Sequence, residues 1–262
     1  MADPINLTAS VRGNLLTLQR TSSLIASTQT RLSTGLKINS ALDDAAAFFT
    51  AKALSDAASD FDSLKSNIDL AVSTIQSAID GIDAITELVN QAKGLASNAK
   101  ATGDTSERST LAVQFNELLD QIDAIANDST FNGTNLLKAS PDDLAVEFNT
   151  ENTSNLTITG LDATTATSGI NIAAAANNFG LTANIDTALT AISAALTELR
   201  SNASTMGSNN TVLSTRLDFT QSLVNTLEGG EGKLTLADLN EESANLLALQ
   251  TRQQLGINSL AL

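Results

Sequence analysis

Few residues in this chain have the types and spacing that chemistry requires. Asp43 and Asp44 are adjacent carboxylates, an arrangement that invites a metal-binding or acid–base reading. The chain contains no histidine, no cysteine and no second acidic cluster at ligand spacing to complete such a site. The pair also immediately precedes Ala45-Ala46-Ala47, where carboxylates suit the positive end of a starting helix. Capping is therefore the expected role, and no catalytic residue, metal, cofactor or small-molecule substrate is expected. Over 262 residues the formal charge is −15, which argues against nucleic-acid binding, where clustered Lys and Arg do the work. Hydrophobic residues make up 42% of the chain but aromatic ones only 3%, with no Trp or Tyr. Ala, Leu, Ile and Val in that proportion suit close helix packing better than a deep ligand pocket. No apolar run is long enough to span a bilayer. The N-terminus lacks a basic region followed by an apolar core, so no cleavable secretory signal is expected.

The elements that position everything else are heptads. From Ala57 to Ala99 one seam carries Phe61, Ile68, Ile75, Ile82, Val89 and Ala96. The other carries Leu64, Ala71, Ala78, Ile85, Ala92 and Ala99. As one helix this stretch would run about 65 Å, too long to stand without partner helices. A matching seam extends from Ile185 through Ile192, Leu199, Met206, Asn210 and Leu213 to Leu227, and Gly229, Gly230 and Gly232 are expected to end it. Two weaker heptads lie at the chain ends. The first, Leu7 to Leu36, has Val11, Leu18, Ile25 and Leu32 on one seam, and Leu15, Ser22, Gln29 and Leu36 on the other. Asn6 and Thr8 are its candidate N-caps and Gly35 its terminator. The last runs through Leu236, Leu239, Ser243, Leu246, Gln250, Gln253, Ile257 and Leu260. Ser and Gln on a seam fit either a loosely packed amphipathic helix or an interface completed by another chain.

Between the two strong heptads, Asp104 followed by Glu107 resembles a capping box for a helix presenting Leu111, Phe115, Leu118, Ile122 and Ile125. That helix is expected to fold back antiparallel on the long one. Phe131-Asn132-Gly133 is a turn, since Asn-Gly supplies left-handed backbone cheaply. Leu144, Val146 and Phe148, then Leu156 and Ile158, alternate with polar residues and predict a β-hairpin. Residues 161–179, rich in Thr, Ala, Asn and Gly, read as irregular surface structure.

Arg31-Leu32-Ser33-Thr34-Gly35, continuing to Asn39-Ser40-Ala41-Leu42-Asp43-Asp44-Ala45-Ala46, closely resembles the N-terminal signature of bacterial flagellins. Phe131-Asn132-Gly133 followed by Leu136-Leu137, Leu236-Ala237-Asp238-Leu239 and Gln253-Gln254-Leu255-Gly256 resemble further flagellin phrases, so the likeness covers nearly the whole chain. Family members usually continue for several helical turns past the position of Leu262. The resemblance implies a mainly α fold: an elongated antiparallel bundle or coiled coil with a small β-hairpin region and paired terminal helices. Its expected domains are residues 1–40 with 233–262 as a terminal coiled coil and 41–232 as a core. A β-rich segment is expected at about 130–180, with no large outer domain.

The resemblance further implies a structural subunit that self-assembles into the filament for motility. Assembly would use Val11, Leu15, Leu18, Ile25 and Leu32 with Leu239, Leu246 and Ile257. Implied partners are other flagellin copies, the hook-associated junction and cap proteins, and a flagellar export chaperone. The location implied is the secreted, extracellular flagellum. Alternatives are a hook–filament junction protein or a flagellin-like cell-surface binding protein. Family members recognised by a Toll-like receptor use an Arg and a Glu; the nearest positions here are Lys93, followed by Gly94, and Gln114, an altered pair that implies weak recognition. Some flagellins carry a metalloprotease insert requiring H-E-x-x-H, which a chain without histidine cannot supply.

Overall fold

The computed structural model describes residues 9–261, so the candidate N-caps Asn6 and Thr8, and Leu7, lie outside the described residues. Among those described the fold is mainly α. In chain order it runs α1 (Ala9–Thr34), α2 (Ala45–Ala101), α3 (Thr105–Asp128), strands β1 (Thr130–Phe131), β2 (Thr134–Asn135), β3 (Leu144–Glu147) and β4 (Asn155–Ile158), a single 3-10 turn (Ala176–Phe179), α4 (Thr182–Thr235) and α5 (Leu239–Ala261). The chain divides into two units, one drawn from Met1–Ser59 and Leu223–Leu262, the other Asp60–Ser222.

The unit Asp60–Ser222 has a dry core. Ile68, Ile75, Ile82 and Val89 on one α2 seam, and Leu64, Ala78, Ile85 and Ala92 on the other, are all buried, as the heptad predicts. Ile185, Ile192, Leu199, Met206 and Leu213 of α4 join the same cluster, with Phe115, Leu119 and Ile122 of α3. Lys65 Nζ donates to Gln221 Oε1 at 2.9 Å, and Lys100 pairs with Asp186 at 2.6 Å. Early α2 thus meets late α4, and late α2 meets early α4. Within this unit the two helices are antiparallel. Asp104 caps α3 by accepting from Ser106 N. The box is not reciprocal, however: the Asp104 N–H donates to Thr102 Oγ1, whose hydroxyl in turn donates to Glu107 Oε2 at 2.6 Å.

Asn132 (φ 48°) and Gly133 (φ 82°) turn β1 into β2, with Phe131 opposite Thr134, because two successive positive φ values match the twist of a two-residue hairpin. The second hairpin pairs Val146 with Leu156 in the expected alternation.

Residues 161–179 overturn one expectation. They are irregular but not superficial: Ala163, Ile170, Ile172 and Phe179 are buried, and Phe179 stacks edge-on against Phe115 at 5.2 Å between centroids. Sparse apolar side chains in a polar stretch escape a periodicity search, yet each fills the core. A second correction concerns α4, which runs through Gly229, Gly230 and Gly232 and stops only at Thr235. Each glycine costs the helix about 1 kcal/mol relative to alanine. At Gly230 a Cβ would make only an ordinary van der Waals contact with Leu54 Cδ1 at 3.4 Å, so space does not demand glycine there.

Candidate assembly interface

In the terminal unit α1 packs against α5. Asn14 Nδ2 lies 3.5 Å from Ser259 Oγ, and Arg31 Nη1 lies 3.0 Å from Glu242 Oε1. The start of α1 therefore meets the end of α5, and the two run antiparallel. Glu242 is the buried partner of the ion pair, its side chain 10% accessible against 38% for Arg31. A buried carboxylate without a cation is costly, so Arg31 fixes the lateral register of the two helices. Lower down, a Cβ on Gly256 would come within 2.8 Å of Leu18 Cδ2, so a larger residue there would require the end of the Leu18 side chain to move.

The link out of α1 is equally specified. Gly35, at φ 73°, ends the helix in the left-handed conformation and its N–H returns to Arg31 O at 2.8 Å. Lys37 N then donates to Thr235 O at 2.7 Å and Ala237 N to Gly35 O at 2.9 Å, so the exit of α1 and the entry to α5 form one small bridge. Asp43 Oδ2 accepts from Asn39 N and Ser40 N, both at 3.0 Å, and from Ser40 Oγ. Those backbone donors, Asn39 first, hold the Asp43 carboxyl below its ordinary value, and the Arg31 charge adds to the effect. Asp44 Oδ1 accepts from Ala47 N and caps α2. The two carboxylates divide the labour: Asp43 staples the turn and Asp44 starts the helix.

The structure separates the assembly residues chosen from sequence. Val11, Leu18, Ile25, Leu32 and Leu246 are half-buried, whereas Leu15, Leu239 and Ile257 are exposed. The second α1 seam lies one residue earlier than expected: Thr21 and Thr28 are buried while Ser22 and Gln29 face solvent. On α5 the inward positions are Glu242, Leu246, Leu249, Gln253 and Gly256. The side chain of Leu260 is not among those described. Sequence reasoning missed Thr21, Thr28, Glu242 and Gly256, because a search for apolar periodicity discards threonine, glutamate and glycine. The seven-residue spacing of Thr21 and Thr28 was the available signal.

Large apolar side chains remain exposed on the outer faces: Leu15, Leu16 and Leu24 on α1, and Leu239, Leu247 and Leu255 on α5. A groove of about 310 Å³ beside the pair is lined by Leu24, Arg31, Glu242, Leu249 and Arg252. In the other unit Phe131 is half-buried beside the exposed turn of Asn132 and Gly133. Lys93 and Gln114 are both exposed, on α2 and α3, and Gln114 borders a groove with Gln91, Gly94 and Leu118. Among the described residues no group of His, Cys, Asp or Glu is arranged to hold a metal, and no helix is long and apolar enough to cross a membrane.

The family model of the bacterial flagellin N-terminal helical region matches residues 5–142, and that of the C-terminal helical region matches 189–262. The chain belongs to the bacterial flagellin family. As a flagellin it is a structural subunit of the flagellar filament, an extracellular polymer of such subunits. It is similar to flagellin FljO of Caulobacter vibrioides, 35% identical over 95% of this chain and 92% of that one. Flagellin FljK of the same organism is 34% identical over 98% and 93%. A Brucella melitensis flagellin is 28% identical over 95% and 90%. The fold is also that of Bacillus cereus flagellin in its crystal structure, at a TM-score of 0.50 and 20% identity over 59% of this chain and 88% of that one.

Proposed function

We propose that this flagellin joins its neighbours chiefly through the α1–α5 pair, residues 1–40 and 233–262 acting as the terminal coiled coil and 41–232 as the core. The observation carrying this reading is an inversion of polarity. The inside of the pair holds Thr21, Thr28 and Glu242, while Leu16, Leu24, Leu247 and Leu255 face outward. A helix pair that leaves its largest apolar side chains in water gains by covering them, each worth roughly 1.5–3 kcal/mol when fully buried. The occupant is a second copy. A contact between unlike faces of successive copies does not close, so it propagates as a filament.

Val11, Leu18, Ile25, Leu32 and Leu246 hold the pair together under this reading, and Leu15, Leu239 and Ile257 meet the neighbour. Arg31, Asn39, Asp43 and Asp44 fix the register and the turn that present them. The remaining roles follow from the family: secretion through the flagellar export route with a chaperone, junction and cap proteins at the filament ends, no catalysis, and weak receptor recognition at Lys93 and Gln114. The test is seeded polymerisation followed by negative-stain microscopy. The intact chain is expected to elongate filament fragments, and a chain lacking the residues before Ala41 is not. Equal elongation by both would remove α1 from the interface.

A further inference from the structure

We infer that Asn132–Gly133 is a site of spontaneous deamidation and isomerisation in the folded protein. Asn132 is exposed at the tip of the β1–β2 turn, and its carboxamide takes part in no hydrogen bond among the described residues. The Gly133 amide N–H is likewise unengaged. A Cβ placed on Gly133 would meet nothing within 4 Å, so no neighbour hinders approach to its nitrogen. The reaction needs only water. The Gly133 nitrogen attacks Cγ of Asn132, a new C–N bond closes a succinimide, and the side-chain nitrogen leaves as ammonia with the proton lost from the amide. Water then opens the ring. Attack at Cγ gives aspartate, and attack at the α-carbonyl gives isoaspartate, in which the chain runs through the former side chain.

Other asparagines in the same protein serve as internal controls. Asn39 also precedes a small residue, but its side-chain nitrogen donates to Leu36 O and the Ser40 N–H is held by Asp43. Asn152 and Asn171 share the left-handed backbone of Asn132. The nitrogens that follow them, of Thr153 and Ile172, are hydrogen-bonded and belong to β-branched residues. Of these four, only Asn132 combines a free carboxamide, a free amide and the absence of a following side chain. The amide nitrogen reaches Cγ when the turn opens, and β1 and β2, two residues each, let it open locally.

The consequence reaches the core. Isoaspartate adds a backbone carbon to a two-residue turn whose register places Asn135 opposite Thr130. Asn135 is buried, its Nδ2 donating to Ala126 O and Asn127 O at 2.9 Å and its Oδ1 accepting from Leu137 N at 2.7 Å. A shifted register pulls on that hub.

The test ages the full chain in neutral buffer and maps asparagine conversion by peptide mass spectrometry, with isoaspartyl methyltransferase labelling to separate the isomers. Asn132 is expected to convert before every other asparagine, with isoaspartate the major product, and Gly133→Ala is expected to slow it several-fold. Because Gly133→Ala strains a left-handed position, the unmodified chain is the deciding sample. Conversion of Asn132 no faster than Asn39, or conversion only in urea, overturns the assignment.

Discussion

The two units write the same heptad in different alphabets. In Asp60–Ser222 the seams are Ile, Val, Ala and Leu, and they vanish from solvent within their own chain. In the terminal unit the seam of α1 contains buried Thr21 and Thr28, while Leu15, Leu16 and Leu24 lie outside it. The lesson is that a heptad locates a helix but not its partner. A stripe filled by β-branched and small residues is satisfied at home. A stripe broken by threonines, with leucines exposed beside it, leaves apolar surface that under the proposed assembly a second copy covers.

The contrast can be broken most forcefully at Phe115. Replacing it by alanine removes the ring that Phe179 packs on and should cost about 3–5 kcal/mol in urea unfolding. A cost below ~1 kcal/mol would mean that the core is not a single packed unit. In the terminal unit Arg31→Ala leaves Glu242 buried without its cation and should loosen the α1–α5 pair by about 1–3 kcal/mol, read from amide exchange along both helices. Exchanging the two charges, Arg31→Glu with Glu242→Arg, should recover most of that loss. Gly35→Ala, forced into φ 73°, should cost about 1 kcal/mol by the same readout.

Acid supplies a gentler probe. Asp43 and Asp142 both hold their carboxyls below the ordinary value, Asp142 through Lys138 and the Asn135 N–H. A lowered native pKa means that the unfolded chain binds protons first. Each turn therefore contributes stability above the ordinary carboxylate pKa and loses it as pH falls through the lowered native one. Asp43→Asn should flatten the acid limb of a stability-versus-pH curve at the terminal unit, with its deficit present at neutral pH and vanishing as pH falls through the lowered native pKa. Smallest in the monomer, and most telling, is Leu16→Gln with Leu247→Gln. Stability should move by no more than ~0.5 kcal/mol, because both side chains are already wet, while seeded elongation stops. Normal filaments from that variant would place the joint elsewhere.

How far the sequence spoke depended on the kind of interaction. Both strong heptads, the turn at Asn132–Gly133 and the strand alternation around Val146 and Leu156 are local or periodic, and the structure has them where they were expected. Phe179 against Phe115 joins positions far apart in a stretch with no period, so nothing nearby announces it. Glu242 looked like a surface charge until Arg31 came beside it, since a buried ion pair is visible only once both partners are placed. Thr21 and Thr28 were hidden for a simpler reason: both are buried, and the Thr21 hydroxyl bonds back to Thr17 O, so polarity misreports their address.

The Arg31–Glu242 pair joins residues 211 apart. Most of the chain must therefore exist before the contact can form, and the entropic toll of closing so long a loop rises only slowly with its length. A polypeptide interrupted before Glu242 cannot form this ion pair and so cannot set α1 against α5 in this register. Register is in this way a check on length: α1 finds its place beside α5 only after the chain has been made through Glu242.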